Sequence, residues 1–155
     1  MTRIWLSRRQ GSPPLVSGPS PQEQITQNAP VALQERLVGL VAALPGVQVG
    51  PSYLATGGTR GFHLSPTRAR GPANAFLAGT EFAHLHPCFD GSLHLVLPAE
   101  IAKDAIDAGW GVPHEAGSGL LIFGPRDEEE LAVVWALLRA SFHYGLSGIS
   151  GDPQD

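Results

Sequence analysis

The strongest constraint on the fold is a pair of alternating segments joined by a turn of five residues. Residues 81–86 and 92–97 alternate in side-chain character, as β-strands with one face on a core do. Proline, aspartate and glycine stand among the five residues between them, 87–91, and are typical of a tight reversal. The sequence therefore predicts a β-hairpin over residues 81–97.

Three histidines fall on one face of this hairpin. Side chains two positions apart in a strand share a face, so His84 and His86 point the same way. A five-residue loop that sets His86 opposite Ser92 also sets His84 opposite His94, with Cβ atoms about 4.5–5.5 Å apart. A slip of one residue in this register would separate His94 from the others.

The two faces of the hairpin differ in polarity. The second strand carries its leucines on one side, which we expect to be the core side: Leu93, Leu95 and Leu97. The histidines share the other side with Phe82 and Ser92, and we expect this side to be open to water. By the same alternation Glu81 points toward the leucine side and is expected to have a structural role.

Three imidazoles on one face suit two kinds of chemistry. Neutral and charged imidazoles can transfer protons near pH 7. The same side chains, His84, His86 and His94, can also bind a divalent metal ion. The sequence leaves both alternatives open, so a metal is possible but not required.

Other residues are candidates for the same site. Asp90 is either a turn former or a carboxylate that orients a histidine. Trp110 and His114 lie in a predicted glycine-flanked loop, where they would supply an aromatic wall and a fourth imidazole or be simply packed and solvated. Arg126 either binds an anionic group or pairs with a carboxylate. Cys88 has no activating neighbour in sequence, so we expect an ordinary thiol in the turn.

Three helices are predicted from apolar periodicity. The first covers residues 31–44, with Gln34 on its polar side, and begins either at the capping pattern of residues 20–23 or at Asn28-Ala29-Pro30. The second covers residues 99–108. The last helix starts after Asp127 as N-cap and ends near Gly145.

Short strands are predicted at residues 47–49, 61–64 and 120–123, the last of them central in the sheet. The order of elements predicts an α+β fold, a single domain with a mainly antiparallel sheet and helices packed on one face. We expect a flexible N-terminal arm over residues 1–20, one domain over residues 21–148 and a flexible tail over residues 149–155.

Composition excludes several classes of function. The net charge of −4 and the scattered basic residues argue against nucleic acid as a ligand. The single cysteine excludes an internal disulfide and a multi-cysteine zinc site. A secretion signal and an apolar run of membrane-spanning length are both missing, so we expect a soluble cytoplasmic protein without a membrane partner. The oligomeric state stays open.

Four motifs in order resemble the fungal luciferase domain and its bacterial relatives. They are EFAHLHP at residues 81–87, DGSLHL at residues 90–95, GWG at residues 109–111 followed by His114, and GPRDEEE at residues 124–130. The likeness extends over residues 81–144. It implies a soluble, bacterial-type relative of the enzymes that act on luciferins of the hispidin type.

The resemblance implies an oxygenase. Such enzymes oxidise a hydroxylated α-pyrone with dioxygen as co-substrate, through a strained peroxide that loses carbon dioxide, and need no organic cofactor. On this basis His84, His86 or His94 removes the proton of the enolic hydroxyl, because an enolate reacts with dioxygen more readily than the enol. The other imidazoles, with His114 and Arg126, would stabilise the enolate and peroxide charges. The residues expected to bind the small aromatic or pyrone-like substrate are Phe82, Asp90, Ser92 and Trp110.

Two other functions fit the same residues. One is a domain that holds an aromatic ligand without converting it. The other is a metal-binding module built on the three hairpin histidines.

Overall fold

The chain forms one antiparallel sheet and three helices in a computed structural model that describes residues 5–19, 21–55, 57–115 and 117–148. The strands are β1 (Val47–Pro51), β2 (Arg60–Leu64), β3 (Glu81–Leu85), β4 (Leu93–Leu95), β5 (Gly111–Pro113) and β6 (Leu120–Ile122). The helices are α1 (Val31–Ala42), α2 (Ala99–Asp107) and α3 (Glu128–Ser147), with a short 3₁₀ helix at Ala73–Ala75. The strand order is β1-β2-β3-β4-β6-β5 and every neighbouring pair is antiparallel. The predicted α+β class is confirmed.

The hairpin of β3 and β4 has the predicted register. His84 pairs with His94 across the two strands. The amide of His86 donates to the carbonyl of Ser92 at 2.9 Å, which extends the pairing to the turn. Gly91 closes this turn with a φ of 75°, a conformation that suits glycine because it has no Cβ.

The helices cover the leucine side of the sheet. Leu85, Leu93 and Leu95 are fully buried there and belong to one apolar cluster with side chains of all three helices. Burying such side chains contributes about 1.5–3 kcal/mol each, so this layer accounts for much of the stability. The helix contributions to the cluster include Leu37, Val41, Ile101, Ala105, Val134, Leu138 and Phe142.

A β-bulge at the start of β3 changes the direction of two side chains. Phe62 pairs with Ala83 while the next residue of β2, His63, pairs with Glu81, so Phe82 is an extra residue in β3. Such an insertion shifts the alternation of the strand by one position. Phe82 therefore packs in the helix-side core, and Glu81 reaches the histidine side. Both directions are opposite to those predicted from strict alternation.

Two strand predictions need correction. Residues 111–113, expected to be part of a loop, form the edge strand β5, because their backbone pairs with β6. The strand at Leu120–Ile122 is not central in the sheet, since only β5 lies beyond it. It is nevertheless flanked by β4 and β5 and fully buried, as its continuous apolar sequence requires.

The helix boundaries follow local capping. Helix α1 begins after Pro30, the second of the two predicted starts. The carboxylate of Asp127 accepts from the amide of Glu130 at 2.9 Å, which confirms the predicted N-cap of α3. This helix passes the predicted end at Gly145 and reaches Ser147, where Gly148 adopts the left-handed conformation.

Gln34 is a correction to the predicted polar side of α1. Its side chain is fully buried, and Nε2 donates to the carbonyl oxygens of Ala29 at 2.9 Å and Cys88 at 3.0 Å. The packing of α1 against the hairpin turn leaves these carbonyls in need of a donor, and glutamine supplies it. Cys88 itself is exposed, as expected for a turn thiol.

The N-terminal segment makes specific contacts with the sheet layer. The amide of Arg9 donates to the carbonyl of Ala108 at 2.9 Å, and the indole of Trp110 donates to the carbonyl of Ser7 at 2.7 Å. The flexibility expected of residues 1–20 stays a prediction, and the predicted tail at residues 149–155 lies outside the described residues. No helix in the described part of the chain is both long and apolar enough to cross a bilayer.

Candidate functional site

Four imidazoles gather on the face of the sheet opposite the helices. The ring centroids of His84 and His86 are 5.2 Å apart, and those of His84 and His94 are 5.0 Å apart. His114, which follows β5, stacks on His94 with centroids 3.5 Å apart and an angle of 5° between the rings. The structure thus brings together the four histidines that the sequence selected, although their catalytic role stays a prediction.

The hairpin imidazoles are buried, which corrects the expectation of a water-accessible face. His84 and His94 are each 2% exposed and His86 is 9% exposed, whereas His114 is only partly buried. Loops that the alternation pattern does not reveal cover this face: hydrogen bonds tie its side chains to Ser52 and to the carbonyl of Ser118. The imidazoles therefore lie in an environment with a lower dielectric constant than water.

His84 is oriented by a buried carboxylate. Its Nδ1 lies 2.8 Å from Oε2 of Glu81, which is fully buried. The hydroxyl of Ser52 donates to the same oxygen at 2.8 Å, and the amide of Tyr53 donates to Oε1 at 2.7 Å. Since an ionised carboxylate can only accept, the proton of neutral His84 is on Nδ1 and the lone pair is on Nε2.

His86 is oriented through a serine. Its Nδ1 lies 2.8 Å from Oγ of Ser92, and that hydroxyl donates to Oδ1 of Asp90 at 2.5 Å. Because the hydroxyl proton is directed to Asp90, Oγ accepts from His86 and the imidazole carries its proton on Nδ1. Nε2 of His86 therefore also has a lone pair. Asp90 serves both predicted purposes, as a turn residue and as a carboxylate behind a histidine.

His94 has the other tautomer. Its Nε2 lies 2.8 Å from the carbonyl oxygen of Ser118, which can only accept a hydrogen bond. The proton of neutral His94 is thus on Nε2 and the lone pair is on Nδ1.

Burial keeps three of the imidazoles, those of His86, His94 and His114, neutral. Desolvation, followed by the proximity of His84, His94 and His114, lowers the pKa of His86 to about 3. Desolvation is also the main cause that lowers the pKa of His94 to about 3, partly opposed by the carbonyl of Ser118. The pKa of His114 is lowered too, by desolvation and then by His84. At neutral pH these groups are bases and not cations.

The two carboxylates behind the histidines have opposite pKa shifts. Burial acts to raise the pKa of Glu81, but hydrogen bonds from His84, Tyr53 and Ser52 outweigh it, and the net shift is downward. Burial raises the pKa of Asp90, and its hydrogen bonds from Ser92 and Gln24 offset this only in part. Glu81 is therefore held as an anion, and Asp90 is the better proton acceptor of the two.

The metal alternative, in which His84, His86 and His94 hold an ion, stays a prediction. Among the described residues, no group of three or more histidine, cysteine, aspartate or glutamate side chains is arranged to hold a metal ion.

Three of the predicted site residues lie elsewhere. Phe82 is fully buried in the core, where its ring is 6.0 Å from that of Phe142 on α3. Trp110 and Arg126 line a separate groove of about 460 Å³ beside the N-terminal segment. Arg126, which precedes α3, forms an ion pair at 2.6 Å with Glu130 in the first turn of that helix. Phe82, Trp110 and Arg126 are therefore not shown among the side chains around the four imidazoles, and their roles in substrate binding and charge stabilisation stay predictions.

Sequence reasoning missed three residues that hold the site together. Glu81 was assigned to the opposite side because a bulge leaves no mark in the alternation. Ser52 and Gln24 lie far from the hairpin in sequence, and nothing in their local pattern indicates a contact with it. Only the register shift between β2 and β3 could have identified Glu81, and this shift is known only once the pairing of the two strands is known.

Replacing Glu81 with alanine should destabilise the fold by about 3 kcal/mol, because His84, Ser52 and Tyr53 lose a common buried acceptor. The measurement is the free energy of unfolding from urea titration. Glu35→Ala is the matched control, since this carboxylate is exposed and pairs with Arg60 on the surface. Equal stability of the two variants would contradict the structural role of Glu81.

Comparison with known proteins identifies the relatives of this hairpin region. Residues 79–141 match the family model described as the luciferase domain. Luciferases of Armillaria gallica and Armillaria mellea are each 42% identical to the chain over 73 residues, which cover 41% of the chain and 27% of each relative. The luciferase of Neonothopanus nambi is 38% identical over 73 residues, with the same coverage.

The similarity is confined to part of each protein. The chain spans about a quarter of the length of the curated relatives that it matches, as the 27% coverage shows. No solved structure matches the chain. Within the matched segment, the resemblance to the fungal luciferase domain is confirmed.

Proposed function

We propose that this chain, which carries a luciferase-domain segment at residues 79–141, is an oxygenase of a small hydroxylated α-pyrone or a similar phenolic. His86 takes the proton of an enolic hydroxyl, and the enolate reacts with dioxygen. One dioxygen is consumed and one carbon dioxide is released for each substrate, through a strained peroxide. Dioxygen is the co-substrate, and the reaction needs no organic cofactor.

The observation that carries this proposal is the set of buried imidazoles whose orientation is set by hydrogen bonds. In their neutral forms His84 and His86 each hold a proton on Nδ1, which leaves Nε2 as a hydrogen-bond acceptor on both rings. Two acceptors on rings 5.2 Å apart suit a substrate with two hydroxyl donors. A dihydroxylated pyrone has this pattern, whereas a carboxylate or phosphate has no donor to offer.

We assign the base to His86 because it is the most exposed of the three hairpin imidazoles. A substrate that approaches from the surface meets this ring before the others on the hairpin. His84 then accepts a second hydrogen bond from the substrate. His114, partly exposed and stacked on His94, forms a side of the site that an aromatic ring can contact.

The proposal is tested by incubating the protein with hydroxyhispidin in air and measuring dioxygen uptake, carbon dioxide release and photons together. We expect catalytic loss of substrate with dioxygen and carbon dioxide in equal amounts, whether or not light accompanies it. Saturable binding with no dioxygen uptake would support the alternative, a domain that holds the ligand unchanged. Retention of zinc or iron in stoichiometric amount after purification would instead support the metal-binding module.

A further inference from the structure

We infer that Asp90 is the final acceptor of the proton that His86 removes from the substrate, and that Ser92 passes it between them. This inference rests on the proposed function, because it begins with proton removal by His86. It adds two residues to the reaction, one of which lies in the hairpin turn and has no contact of its own with the substrate.

The three side chains form a continuous chain of hydrogen bonds. Nδ1 of His86 is 2.8 Å from Oγ of Ser92, which is 2.5 Å from Oδ1 of Asp90. Asp90 and Ser92 are fully buried. His86 and Asp90 have no direct hydrogen bond, because Oδ2 of Asp90 is 3.6 Å from Nδ1 of the imidazole, which is too far. The hydroxyl of Ser92 is therefore the link.

The transfer balances without any added reactant. Nε2 of His86 gains the proton of the substrate hydroxyl as its Nδ1 gives a proton to Oγ of Ser92. The same hydroxyl gives its own proton to Oδ1 of Asp90. At the end the substrate is an enolate, Asp90 is a neutral carboxylic acid, and His86 is neutral with its proton on Nε2. The negative charge has moved from Asp90 to the substrate.

The surroundings of His86 oppose the alternative, an imidazolium that keeps both protons. The ring is buried and faces His84, His94 and His114, and these causes together lower its pKa to about 3. The imidazolium form of His86 is therefore disfavoured in this environment. Passing the proton to a carboxylate removes the need for a cation at this place.

The surroundings of Asp90 favour its protonation. Desolvation is the main cause of its raised pKa, and the carboxylate of Glu23 acts in the same direction. Hydrogen bonds from the hydroxyl of Ser92 and from the amides of Ser92 and Gln24 lower the pKa of Asp90 without reversing the shift. Glu81, behind His84, has the opposite shift and three donors, so that carboxylate stays ionised. Environments that separate the pKa values of two carboxyl groups in this way assign them different roles.

The position of Asp90 depends on a segment outside the family match. The amide of Gln24 donates to its Oδ2 at 3.3 Å, and the side chain of Asn28 donates to its carbonyl at 2.8 Å. Gln24 also accepts from the amide of Gly124, which ties the same segment to the sheet next to β6. Residues 24–28 are thus positioning residues for the proton acceptor.

The first test compares Ser92→Ala with Ser92→Thr. Alanine removes the hydroxyl link, and we expect kcat for the pyrone to fall about 10²-fold with KM changed far less. Threonine keeps a hydroxyl at the same position, so we expect it to restore most of kcat. Equal kcat in wild type and Ser92→Ala, with His86→Gln inactive, would overturn the relay while the proposed function stands.

The second test follows the proton itself. Without dioxygen, the pyrone bound to wild type should produce the infrared carbonyl band of a protonated carboxyl group, and this band should be missing in Asp90→Asn. An enolate formed without that band would overturn the inference. In the free protein, ¹⁵N spectra should place the His86 proton on Nδ1. A proton on Nε2 would also overturn the relay. This measurement needs no pyrone, so it tests the relay even if the proposed function fails.

Discussion

Replacing His86 with glutamine should lower kcat for a hydroxylated pyrone by about 10²–10⁴-fold, the usual contribution of a positioned general base. Glutamine can form similar hydrogen bonds to Ser92 but cannot carry the substrate proton away. We therefore expect KM to change much less than kcat. Initial rates of dioxygen uptake at saturating and limiting pyrone measure both constants.

The control for this substitution is His63→Gln. His63 lies on β2 outside the cluster, where its ring packs against Tyr53 and Nε2 contacts the carbonyl of Pro51 at 2.9 Å. It should retain nearly all activity. If His86→Gln keeps kcat within about twofold of wild type, a different group performs the proton transfer.

Acidification should destabilise the protein steeply at pH values where most proteins are still stable. The pKa values of His86 and His94 fall from 6.5 when unfolded to about 3 when folded, so between these values the unfolded chain binds more protons. Stability then decreases as the pH falls, by up to about 1.4 kcal/mol per pH unit for each histidine. Two such groups double the slope. The free energy of unfolding stops decreasing on their account when the pH reaches their pKa in the folded state.

Other groups modify this acid profile in known directions. Glu81, with its lowered pKa, contributes stability above its unfolded value of 4.5 that is lost as the pH falls further. Asp90, with its raised pKa, acts in the opposite sense and offsets part of the loss. Urea titrations from about pH 7 to pH 4 measure the slope. His94→Gln should reduce this slope by the contribution of one histidine, up to about 1.4 kcal/mol per pH unit. An unchanged slope would show that His94 titrates normally in the folded state.

The hairpin could be predicted from sequence because its information is local. The turn residues and the leucine alternation set the register, and the pairing of His84 with His94 follows from it. A position of His114 beside the other imidazoles was expected only as one of two outcomes, because it depends on how β5 pairs at the sheet edge.

The remainder of the site could not be predicted because it depends on long-range packing. A single extra residue in β3 moves the side chain of Glu81 to the other face of the sheet, and the sequence pattern does not reveal this change. The contacts that complete the site come from distant segments: Ser52 reaches Glu81 and His84, and Gln24 reaches the carboxylate of Asp90. Arg126 was a reasonable anion site by sequence, but Glu130 one helical turn later neutralises it.

The family match covers only part of the residues that shape the site. His84, His86 and His94 lie within residues 79–141, whereas Ser52 and Gln24 lie outside them. The segments that cover the imidazoles therefore need not be shared with the fungal luciferases. Because covering segments determine which molecules reach a buried site, the natural substrate can differ from the fungal one even if the proton transfer is the same.

The most direct measurement is the absorbance spectrum of hydroxyhispidin after rapid mixing with the protein in the absence of dioxygen. Neutral buried imidazoles that act as bases should convert the bound enol to its enolate at neutral pH in wild type. His86→Gln should bind the pyrone and leave it protonated. Enolate formation to the same extent with both proteins would contradict a proton transfer through this histidine cluster.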